Sequence, residues 1–376
     1  MRVLLISHTY FPSHYRGKLR RMATNGTIDL MLIAIPALRL PSGVRLHFEQ
    51  HDEPFQVELL QPLLFPNHNP LRIYALHQLL ALLRKFRPDI VHVEAEPHSL
   101  TLGTMVMLKP YFSYHLIAFT WENIFRRGRR PLAWIEPYTL RHVDWMLAGN
   151  HVAAEVVRWR GYTGPVSVFP QVGLDPNHFR GDIPADALDH LPAGMRIGFA
   201  GRFISDKGLL DLLEAFRLLA DQALLILLGA GELRETIVQR AHASGVADRV
   251  FLPGYVDYRE MPAYLRALDV LVLPSRTRPY WREQFGHILA EAMLVGIPVV
   301  GSDSGAIPEV IGDAGLMYPE GDTDALHAHL LYLATYPDER QRLGAAGRQR
   351  ALERFTDQAI AQATLQVYTQ VQGQEP

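Results

Sequence analysis

The sequence predicts an α/β protein of two domains, each built around a parallel β-sheet covered by helices on both faces. The chain has 376 residues, more than one compact core of ordinary size holds, so two domains are expected. In both halves, short apolar runs alternate with stretches of helical spacing, which indicates strand–helix–strand units. A polar, proline-containing stretch between residues 174 and 194 separates the halves and is interpreted as the linker.

The first domain is predicted to cover residues 1–173. Its strands are expected at residues 3–6, 30–35, 90–93, 116–119, 145–148 and 166–169. Residues 71–86 have helical spacing, and this helix is expected to stop before Pro88, because proline disfavours helical backbone in the residue before it. The C-terminal helix, at about residues 357–376, is expected to complete this domain.

The second domain is predicted to cover residues 195–356. Its strands are expected at residues 196–200, 224–228, 250–252, 270–273 and 298–301, and its helices at residues 209–219, 232–244, 261–267 and 285–294. Residues 322–371 are predicted to be largely helical, with an interruption near Pro337. Open parallel sheets bind ligands beyond the carboxyl ends of their strands, so the functional residues are expected in the loops there.

Composition excludes several classes of protein and site. The chain has no cysteine, which excludes disulfides, thiolate catalysis and zinc–thiolate sites. No apolar run approaches the roughly 20 residues of a membrane-spanning helix. Residues 1–7 (MRVLLIS) lack a small-residue cleavage pattern and are interpreted as a strand, not a signal peptide. These features favour a cytoplasmic protein.

The most informative motif is EQFGHILAE at residues 283–291. Two carboxylates, Glu283 and Glu291, bracket a Phe-Gly turn that leads into a helix. If the helix begins near Gly286, its free N–H groups form a site for a phosphate, and glycine lets the anion approach closely. Glu283 can accept hydrogen bonds from sugar hydroxyls, and Glu291 from both hydroxyls of a ribose. Alternatively, both are ordinary surface carboxylates.

A pair of cations supports the ligand-binding interpretation. Gly201 and Arg202 follow the first strand of the second domain, and Lys207 opens its first helix. Cations five residues apart at the end of a strand can both reach a diphosphate, since arginine offers a planar fork and lysine a compact charge. The alternative is a solvated pair of loop residues. The motif and the cations together, within one domain, favour a diphosphate site.

These segments resemble glycosyltransferase family 4, which has the GT-B fold of two Rossmann-like domains with parallel sheets facing a central cleft. The resemblance rests on GRFISDKG, PSR, EQFGHILAEAMLVGIPVV and SGAIPEVI in the second half and on PQVGLDPNHF before it. It implies a retaining, metal-independent transfer of a sugar from a nucleotide-sugar donor to an acceptor hydroxyl. The donor is a co-substrate, and neither a cofactor nor a metal is implied.

The resemblance also implies roles for individual residues. Arg202, Lys207 and Glu283 would be catalytic, the cations stabilising the leaving diphosphate and Glu283 holding the donor sugar. The other donor-binding residues would be Gly17, Gly201, Gly254, Tyr255, Gly286, His287, Ile288 and Glu291. In the family a histidine commonly follows an N-terminal strand, and Phe-Gly is commonly followed by Leu-Pro. Here FTWEN stands at 119–123 and His287-Ile288 follow Gly286.

The acceptor-side candidates lie in the first half: His98, Trp121, Glu122 and Asn123. If the reaction proceeds by double displacement, Glu122 is the candidate nucleophile in the N-terminal half. A glycan, a lipid-linked molecule or a small molecule could be the acceptor. Alternatives to a glycosyltransferase are another GT-B activity, such as a nucleotide-sugar epimerase or a phosphorylase, or a donor-binding protein without turnover.

The charge is unevenly divided: residues 1–175 contain 19 basic and 13 acidic residues, and residues 176–376 contain 18 and 26. The first half contains two basic clusters. The first consists of Arg16, Lys18, Arg20 and Arg21, and the second of Arg126, Arg127, Arg129 and Arg130. The second is flanked by Trp121, Phe125 and Trp134. These clusters predict an anionic or membrane-associated acceptor, with peripheral association at the inner face of a membrane. The alternatives are a solvated surface or a docking patch for the acidic half.

The sequence disfavours three other kinds of site or partner. His92, Glu94, Glu96 and His98 alternate and would form a metal site on one face of a strand, but Pro97 argues that the strand has ended, so an acceptor loop is preferred. No G-x-G-x-x-G follows the first strand, which disfavours a dinucleotide-dependent oxidoreductase. No recognised motif accompanies the basic segments, so a nucleic-acid partner is not expected.

Overall fold

The computed structural model describes residues 1–39, 45–63, 71–126, 132–219 and 223–373. The chain divides into two compact units. Unit 1 consists of Met1–Leu174 and Asp357–Pro376, and unit 2 of Asp175–Thr356. Each unit contains its own parallel sheet, as the alternation of strands and helices predicts.

In unit 1 the described residues form a seven-stranded parallel sheet with the order β5-β2-β1-β6-β7-β8-β9. Its strands are β1 (Arg2–Ile6), β2 (Asp29–Ala34), β5 (Gln56–Leu59), β6 (Ile90–Val93), β7 (His115–Thr120), β8 (Trp145–Ala148) and β9 (Val166–Val168). A separate two-stranded antiparallel sheet pairs β3 (Ala37–Arg39) with β4 (Arg45–His47). Its helices are α1 (Gly17–Thr24), α2 (Leu76–Phe86), α3 (Leu100–Phe112), α4 (Glu136–His142), α5 (His151–Trp159) and the C-terminal α13 (Asp357–Gln372).

In unit 2 the described residues form a six-stranded parallel sheet with the order β12-β11-β10-β13-β14-β15. Its strands are β10 (Met195–Ala200), β11 (Ala223–Leu228), β12 (Val250–Gly254), β13 (Val270–Leu273), β14 (Val299–Ser302) and β15 (Leu316–Tyr318). Its helices are α6 (Leu209–Arg217), α7 (Arg234–Ala243), α8 (Met261–Arg266), α9 (His287–Val295), α10 (Ile307–Ile311), α11 (Thr323–Thr335) and α12 (Pro337–Arg354). This is the strand order of a Rossmann-like sheet.

The composition of the strands explains their position in the sheets. All six residues of β11 (ALLILL) are buried, as expected for a central strand covered on both faces. In unit 2, α12 packs on α9, and α11 packs on α6. In unit 1, α13 packs on α1 through buried side chains that include Ile360, Val367 and Val371.

Some element bounds differ from the prediction. β13 has the predicted limits, whereas α2 begins at Leu76 and not near residue 71. At its other end α2 stops at Phe86, before Pro88, as predicted. Arg87 ends the helix with a left-handed φ of 49° and does not take the extended backbone that residues before proline usually adopt. Several short elements, among them α1, α4, α10, β5 and β15, were not predicted because each has too few residues to show a hydrophobic period.

The stretch predicted as a linker is packed against unit 2 from Asp175 onward. Phe179 and Leu188 are fully buried. The His178 ring stacks on Tyr258 with 4.5 Å between ring centroids, and the Phe179 ring lies edge-on to the same tyrosine at 5.6 Å. Although residues 174–194 are polar in overall composition, His178, Phe179 and Leu188 pack this stretch into unit 2.

Candidate functional site

The loops after β10 and β13 begin side by side, because these two strands pair in parallel in the middle of the unit 2 sheet. From this pair the chain order runs outward in opposite directions. The loops leaving the two carboxyl ends therefore diverge and leave a crevice, the usual position of a ligand in an open parallel sheet. The loop after β10 carries Arg202 and Lys207, and the loop after β13 carries Glu283.

Lys207 and Glu283 form an ion pair between these loops. Nζ of Lys207 lies 2.6 Å from Oε2 of Glu283, and the hydroxyl of Ser275 donates to the same oxygen at 2.8 Å. The Lys207 and Glu283 side chains are only 14% and 9% exposed, so water screens the pair weakly. The backbone is held too, since the N–H of Ala306 donates to the carbonyl of Glu283 at 3.0 Å.

The start of α9 has the geometry of an anion site. Gly286 immediately precedes the helix with a φ of 79°, and a Cβ added there would lie 2.9 Å from a methyl group of Leu273. The N–H groups of His287 and Ile288 are among those that have no acceptor within the helix. Burial lowers the pKa of His287 to about 4, so its imidazole is neutral near pH 7 and can donate from only one ring nitrogen.

Glu291 lies one turn further along α9, among residues that are mostly buried. Burial raises the pKa of its carboxyl to about 7, because desolvation disfavours the charged form. Near neutral pH the side chain is therefore divided between its ionised and protonated forms. Hydroxyl groups that donate to it would favour the ionised form.

A cavity of about 290 Å³ opens between the loops that follow β10, β11 and β12. It is lined by Gly201, Arg202, Gly229, Ala230, Tyr255 and Val256, among others. A Cβ on Gly229 would lie 1.9 Å from the carbonyl oxygen of Gly201, so the two loops approach this closely only because the position is glycine. Tyr255 is 80% exposed and follows Gly254, whose carbonyl accepts a hydrogen bond from Gly229 at 2.7 Å.

In unit 1, Gly17 has a packing reason to be glycine. It is the first residue of α1, and a Cβ there would lie 1.8 Å from Oδ2 of Asp357 at the start of α13. A side chain would push these two helices apart. The contact of Gly17 with a diphosphate, which the family resemblance implies, stays a prediction.

Trp121 is held in place at the end of β7. Its backbone N–H donates to Glu96 at 2.9 Å, and its indole N–H donates to the side-chain oxygen of Gln171 at 2.9 Å. The ring lies over Gly149, where a Cβ would approach to 2.0 Å. Thr120 also donates to Glu96, at 2.5 Å. Burial raises the pKa of Glu96 to about 7.

The other acceptor-side candidates lie in the same unit. Oε1 of Glu122 is 3.7 Å from Nη2 of Arg160, whose guanidinium also contacts Glu136 at 3.2 Å. Asn123 and His98 are buried, at 2% and 7% exposure. Glu122 therefore faces the guanidinium of Arg160.

Comparison with known proteins shows which family the chain is similar to. Residues 194–350 match the family described as glycosyl transferases group 1. The chain is 35% identical over 301 residues to alpha-maltose-1-phosphate synthase of Mycolicibacterium smegmatis, a match that covers 73% of each chain. The chain belongs to the group 1 glycosyl transferases. This agrees with the predicted resemblance to glycosyltransferase family 4.

A second relative of this glycosyl transferase is D-inositol 3-phosphate glycosyltransferase of Xylanimonas cellulosilytica, 32% identical over 218 residues. That match covers 54% of the chain and 51% of the relative, so the chain aligns with about half of it. Among solved structures, sucrose-phosphate synthase of Thermosynechococcus elongatus has 22% identity and a TM-score of 0.76, covering 99% of both chains. The predicted GT-B fold class is confirmed.

The predicted alternation of four metal-ligand types at 92–98 does not form a cluster. β6 ends at Val93, so the later side chains no longer alternate across a sheet. Nδ1 of His92 lies 2.8 Å from the hydroxyl of Tyr368, whereas Glu94 pairs with Lys18 at 3.2 Å. In the part of the chain that the structure describes, no group of three or more histidine, aspartate or glutamate side chains is placed to hold a metal ion.

For the first basic cluster, the structure corrects the prediction of an exposed binding surface. Arg16 and Lys18 are 0% and 2% exposed, and Arg16 contacts Glu53 at 2.7 Å. Arg20 binds the same carboxylate at 2.7 Å. Their charges are thus satisfied within the protein and do not form a surface for anionic lipid.

Most of the second basic cluster lies outside the residues that the structure describes. Arg126 is exposed, and Arg127, Arg129 and Arg130 lie outside the described residues. Within the described ranges, no helix has the length and hydrophobicity that crossing a membrane requires. Membrane association therefore stays a prediction that rests on this cluster alone.

The sequence interpretation missed three residues next to the ion pair. Ser275 donates to Glu283, Trp281 places its ring 5.0 Å from Nζ of Lys207, and Arg276 binds Asp211 at 2.5 and 2.7 Å. The signal for two of them was present in PSR at 274–276, which the resemblance quoted without assigning roles. Nothing in the sequence pattern pointed to Trp281.

Proposed function

We propose that the chain is a retaining, metal-independent glycosyltransferase of the hexosyltransferase class that takes its sugar from a nucleotide-sugar donor. The observation that carries the proposal is the meeting of Lys207, Glu283 and the N-terminus of α9 at the crevice between β10 and β13. One group there suits a sugar hydroxyl, and the other two suit a diphosphate. The cavity lined by Arg202 and Tyr255 includes the start of the loop after β10, the same loop that carries Lys207.

Each part of the donor has a matching group in this proposal. The nucleobase occupies the cavity, against Tyr255 and the backbone at Gly254. The ribose hydroxyls donate to Glu291. The diphosphate lies against Arg202, Lys207 and the backbone at 286–288, and His287 donates to a sugar hydroxyl through its single neutral N–H.

The proposed chemistry requires a stabilised leaving group more than a strong base. The bond between the anomeric carbon and the diphosphate oxygen breaks, and the electron pair leaves with the diphosphate. The acceptor hydroxyl forms the new bond on the same face, and its proton passes to the departing phosphate oxygen. Fixed positive charge at that oxygen lowers the barrier, because it acts where negative charge develops. Arg202 and Lys207 supply that charge.

The acceptor is proposed to carry a phosphate and to bind on the unit 1 side, near Trp121, Glu122, Asn123 and His98. Support comes from the names of the two relatives, one of which contains inositol 3-phosphate and the other maltose 1-phosphate. A lipid-linked or glycan acceptor at the inner face of a membrane is the alternative, and the exposed Arg126 favours it. A cytoplasmic location suits either acceptor.

Two experiments test the proposal in sequence. A thermal-shift panel of UDP-, GDP-, ADP- and dTDP-sugars should yield one donor that raises the melting temperature, since a ligand bound to the folded state stabilises it by mass action. That donor should then release nucleoside diphosphate, slowly with water and faster with a phosphorylated polyol. No stabilising donor would refute the donor site. Stabilisation without any release would favour a donor-binding protein without turnover.

A further inference from the structure

The segment between Arg276 and Trp281 folds into a tight turn. The N–H of Arg278 donates to the carbonyl of Trp281 at 2.7 Å, and the N–H of Trp281 donates back at 3.2 Å. Pro279 stands second in the turn, where its fixed φ suits the reversal. Trp281 is partly buried, whereas its neighbour Tyr280 in the same turn is 63% exposed.

This turn is bound to the short 3₁₀ helix that carries Lys207, Ser205–Lys207. The N–H of Arg276 donates to the carbonyl of Asp206 at 2.8 Å, and Nε of Arg278 lies 3.5 Å from a carboxylate oxygen of the same residue. Gly208 ends the 3₁₀ helix with a φ of 66°, and a Cβ there would meet the carbonyl oxygen of Pro274 at 1.8 Å. The two loops thus form one packed body.

Within that body the ammonium group of Lys207 has two different neighbours. The Trp281 ring centroid lies 5.0 Å from Nζ, within the range of a cation–π contact. Oε2 of Glu283 lies 2.6 Å from the same atom. A lysine side chain has four rotatable bonds and no intrinsic preference for one direction. The ring and the carboxylate together hold it in the crevice.

We propose that Trp281 is a positioning residue that keeps the Lys207 ammonium at the leaving-group position while Glu283 exchanges its ion pair for the donor sugar. Lys207 and Ser275 both contact Oε2 of Glu283. Hydroxyl groups of the donor sugar that donate to this carboxylate would compete with Lys207 for its charge, so donor binding loosens the Lys207–Glu283 contact. A cation–π contact has little directional demand and can persist as the ammonium turns toward the diphosphate. The inference rests on the proposed function of this site and adds a residue that the family motif does not contain.

The test compares Trp281→Leu with Trp281→Phe, using the donor that stabilises the chain most in the thermal-shift panel. Tyr280→Leu is the matched control, because it removes an exposed aromatic ring from the same turn. For Trp281→Leu, the rate of nucleoside diphosphate release at saturating donor should fall by about 3- to 30-fold, the factor that corresponds to a cation–π contact. The KM for donor should change by less than about twofold. Trp281→Phe should recover most of the rate.

Fluorescence gives a readout that does not depend on turnover. Trp281 is the one tryptophan between residues 175 and 356. Subtracting the emission of Trp281→Phe from that of the unaltered chain therefore isolates its signal. This signal should change on donor binding, and the change should shrink in Lys207→Met, where the ring has no cation beside it.

The outcomes separate the inference from the function on which it rests. A donor that binds and turns over normally in Trp281→Leu overturns the inference and leaves the glycosyltransferase proposal intact. A raised KM with an unchanged maximal rate also overturns it, because the ring would then act on the donor and not on Lys207. A Trp281→Phe rate as low as that of Trp281→Leu does the same. If no nucleotide sugar binds the unaltered chain, the proposed function itself is refuted.

Discussion

Lys207 and Glu283, 76 positions apart in the sequence, form a 2.6 Å ion pair at the meeting point of two loops. The cation proposed for the diphosphate and the carboxylate proposed for the sugar therefore satisfy each other. Both charges stay hydrogen-bonded in a poorly solvated position, where an unpaired charge would be costly. A donor must offer each of them a better partner, a phosphate oxygen for one and hydroxyl groups for the other.

The first prediction is that Lys207→Met lowers the maximal rate of transfer more than it weakens donor binding. Negative charge grows on the diphosphate as its bond to the sugar breaks, so the cation acts most strongly in the transition state. We expect a loss of roughly 100-fold or more in kcat, the effect of removing one preorganised donor. Arg202→Ala should behave similarly. Steady-state kinetics of nucleoside diphosphate release measures both.

The control for these variants is Arg217→Ala, which removes an exposed arginine of α6 that pairs with Glu214. It should leave kcat within the error of the measurement, since exposed pairs contribute little. Near-normal kcat in both Lys207→Met and Arg202→Ala would contradict the assignment of these cations to the leaving group.

The second prediction concerns pH. The pKa of Glu291 is raised to about 7 by burial, and ribose hydroxyls that donate to the carboxyl bind its ionised form. Below that pKa the free protein must lose a proton before binding. Nucleotide affinity should therefore fall with decreasing pH below about 7, by up to tenfold per pH unit, and should be flat above it.

Isothermal titration calorimetry between about pH 5.5 and pH 8.5 measures this dependence. Glu291→Gln should remove it, because the amide does not titrate, and should weaken binding at high pH by about 1–3 kcal/mol, the cost of unpaired polar groups. The same pH dependence in Glu291→Gln as in the unaltered chain would show that another group is responsible.

The third prediction is that transfer survives exhaustive treatment with EDTA. Two side-chain cations and a helix N-terminus are proposed to stabilise the diphosphate, which in other sites is the task of a divalent ion. The rate of nucleoside diphosphate release should be the same before and after chelation. A loss that magnesium or manganese restores would argue for a metal-dependent mechanism.

The fourth prediction is that Lys18 contributes to stability and not to a binding surface. Its ammonium lies 3.2 Å from Glu94 and donates to the carbonyl of Gln171 at 2.6 Å, and both side chains of the ion pair are at most 2% exposed. Lys18→Met leaves a buried carboxylate without its cation, which should lower the free energy of unfolding by about 3–5 kcal/mol. Arg21→Met, at an exposed position of α1, should change it by less than about 0.5 kcal/mol.

Denaturant titration measures both values, and the double variant Lys18→Met/Glu94→Gln should recover part of the loss. The pH dependence has a defined sign. Burial alone would raise the pKa of Glu94, but Lys18, His92 and hydrogen bonds outweigh it and hold the pKa below its usual value. The pair therefore stabilises unit 1 above the unfolded pKa of glutamate, and this contribution is lost as the pH falls through the folded pKa. If Lys18→Met left the free energy of unfolding unchanged, the predicted contribution of Lys18 to stability would be wrong.

The sequence alone determined the fold class and the region of the proposed donor site. Strand–helix alternation is a local property of each apolar run, so it predicted two parallel sheets and the limits of β13 without any knowledge of distant contacts. The spacing of Glu283, Gly286 and Glu291 likewise lies within one short segment. It places a carboxylate, a turn and a helix start next to one another in any fold that keeps that helix.

The tertiary structure alone decided which charges are free and which are paired. Arg16 and Lys18 belong to a basic run in the sequence, but Glu53 and Glu94 neutralise them from loops that are distant in the sequence. In the same way Trp281 reaches Lys207 only because a turn and a parallel strand pair bring the loops together. A local pattern records the type of each side chain. Its burial and its partner depend on segments far along the chain. Those segments come into contact only when the sheet forms, which requires the loops of many residues between them to close.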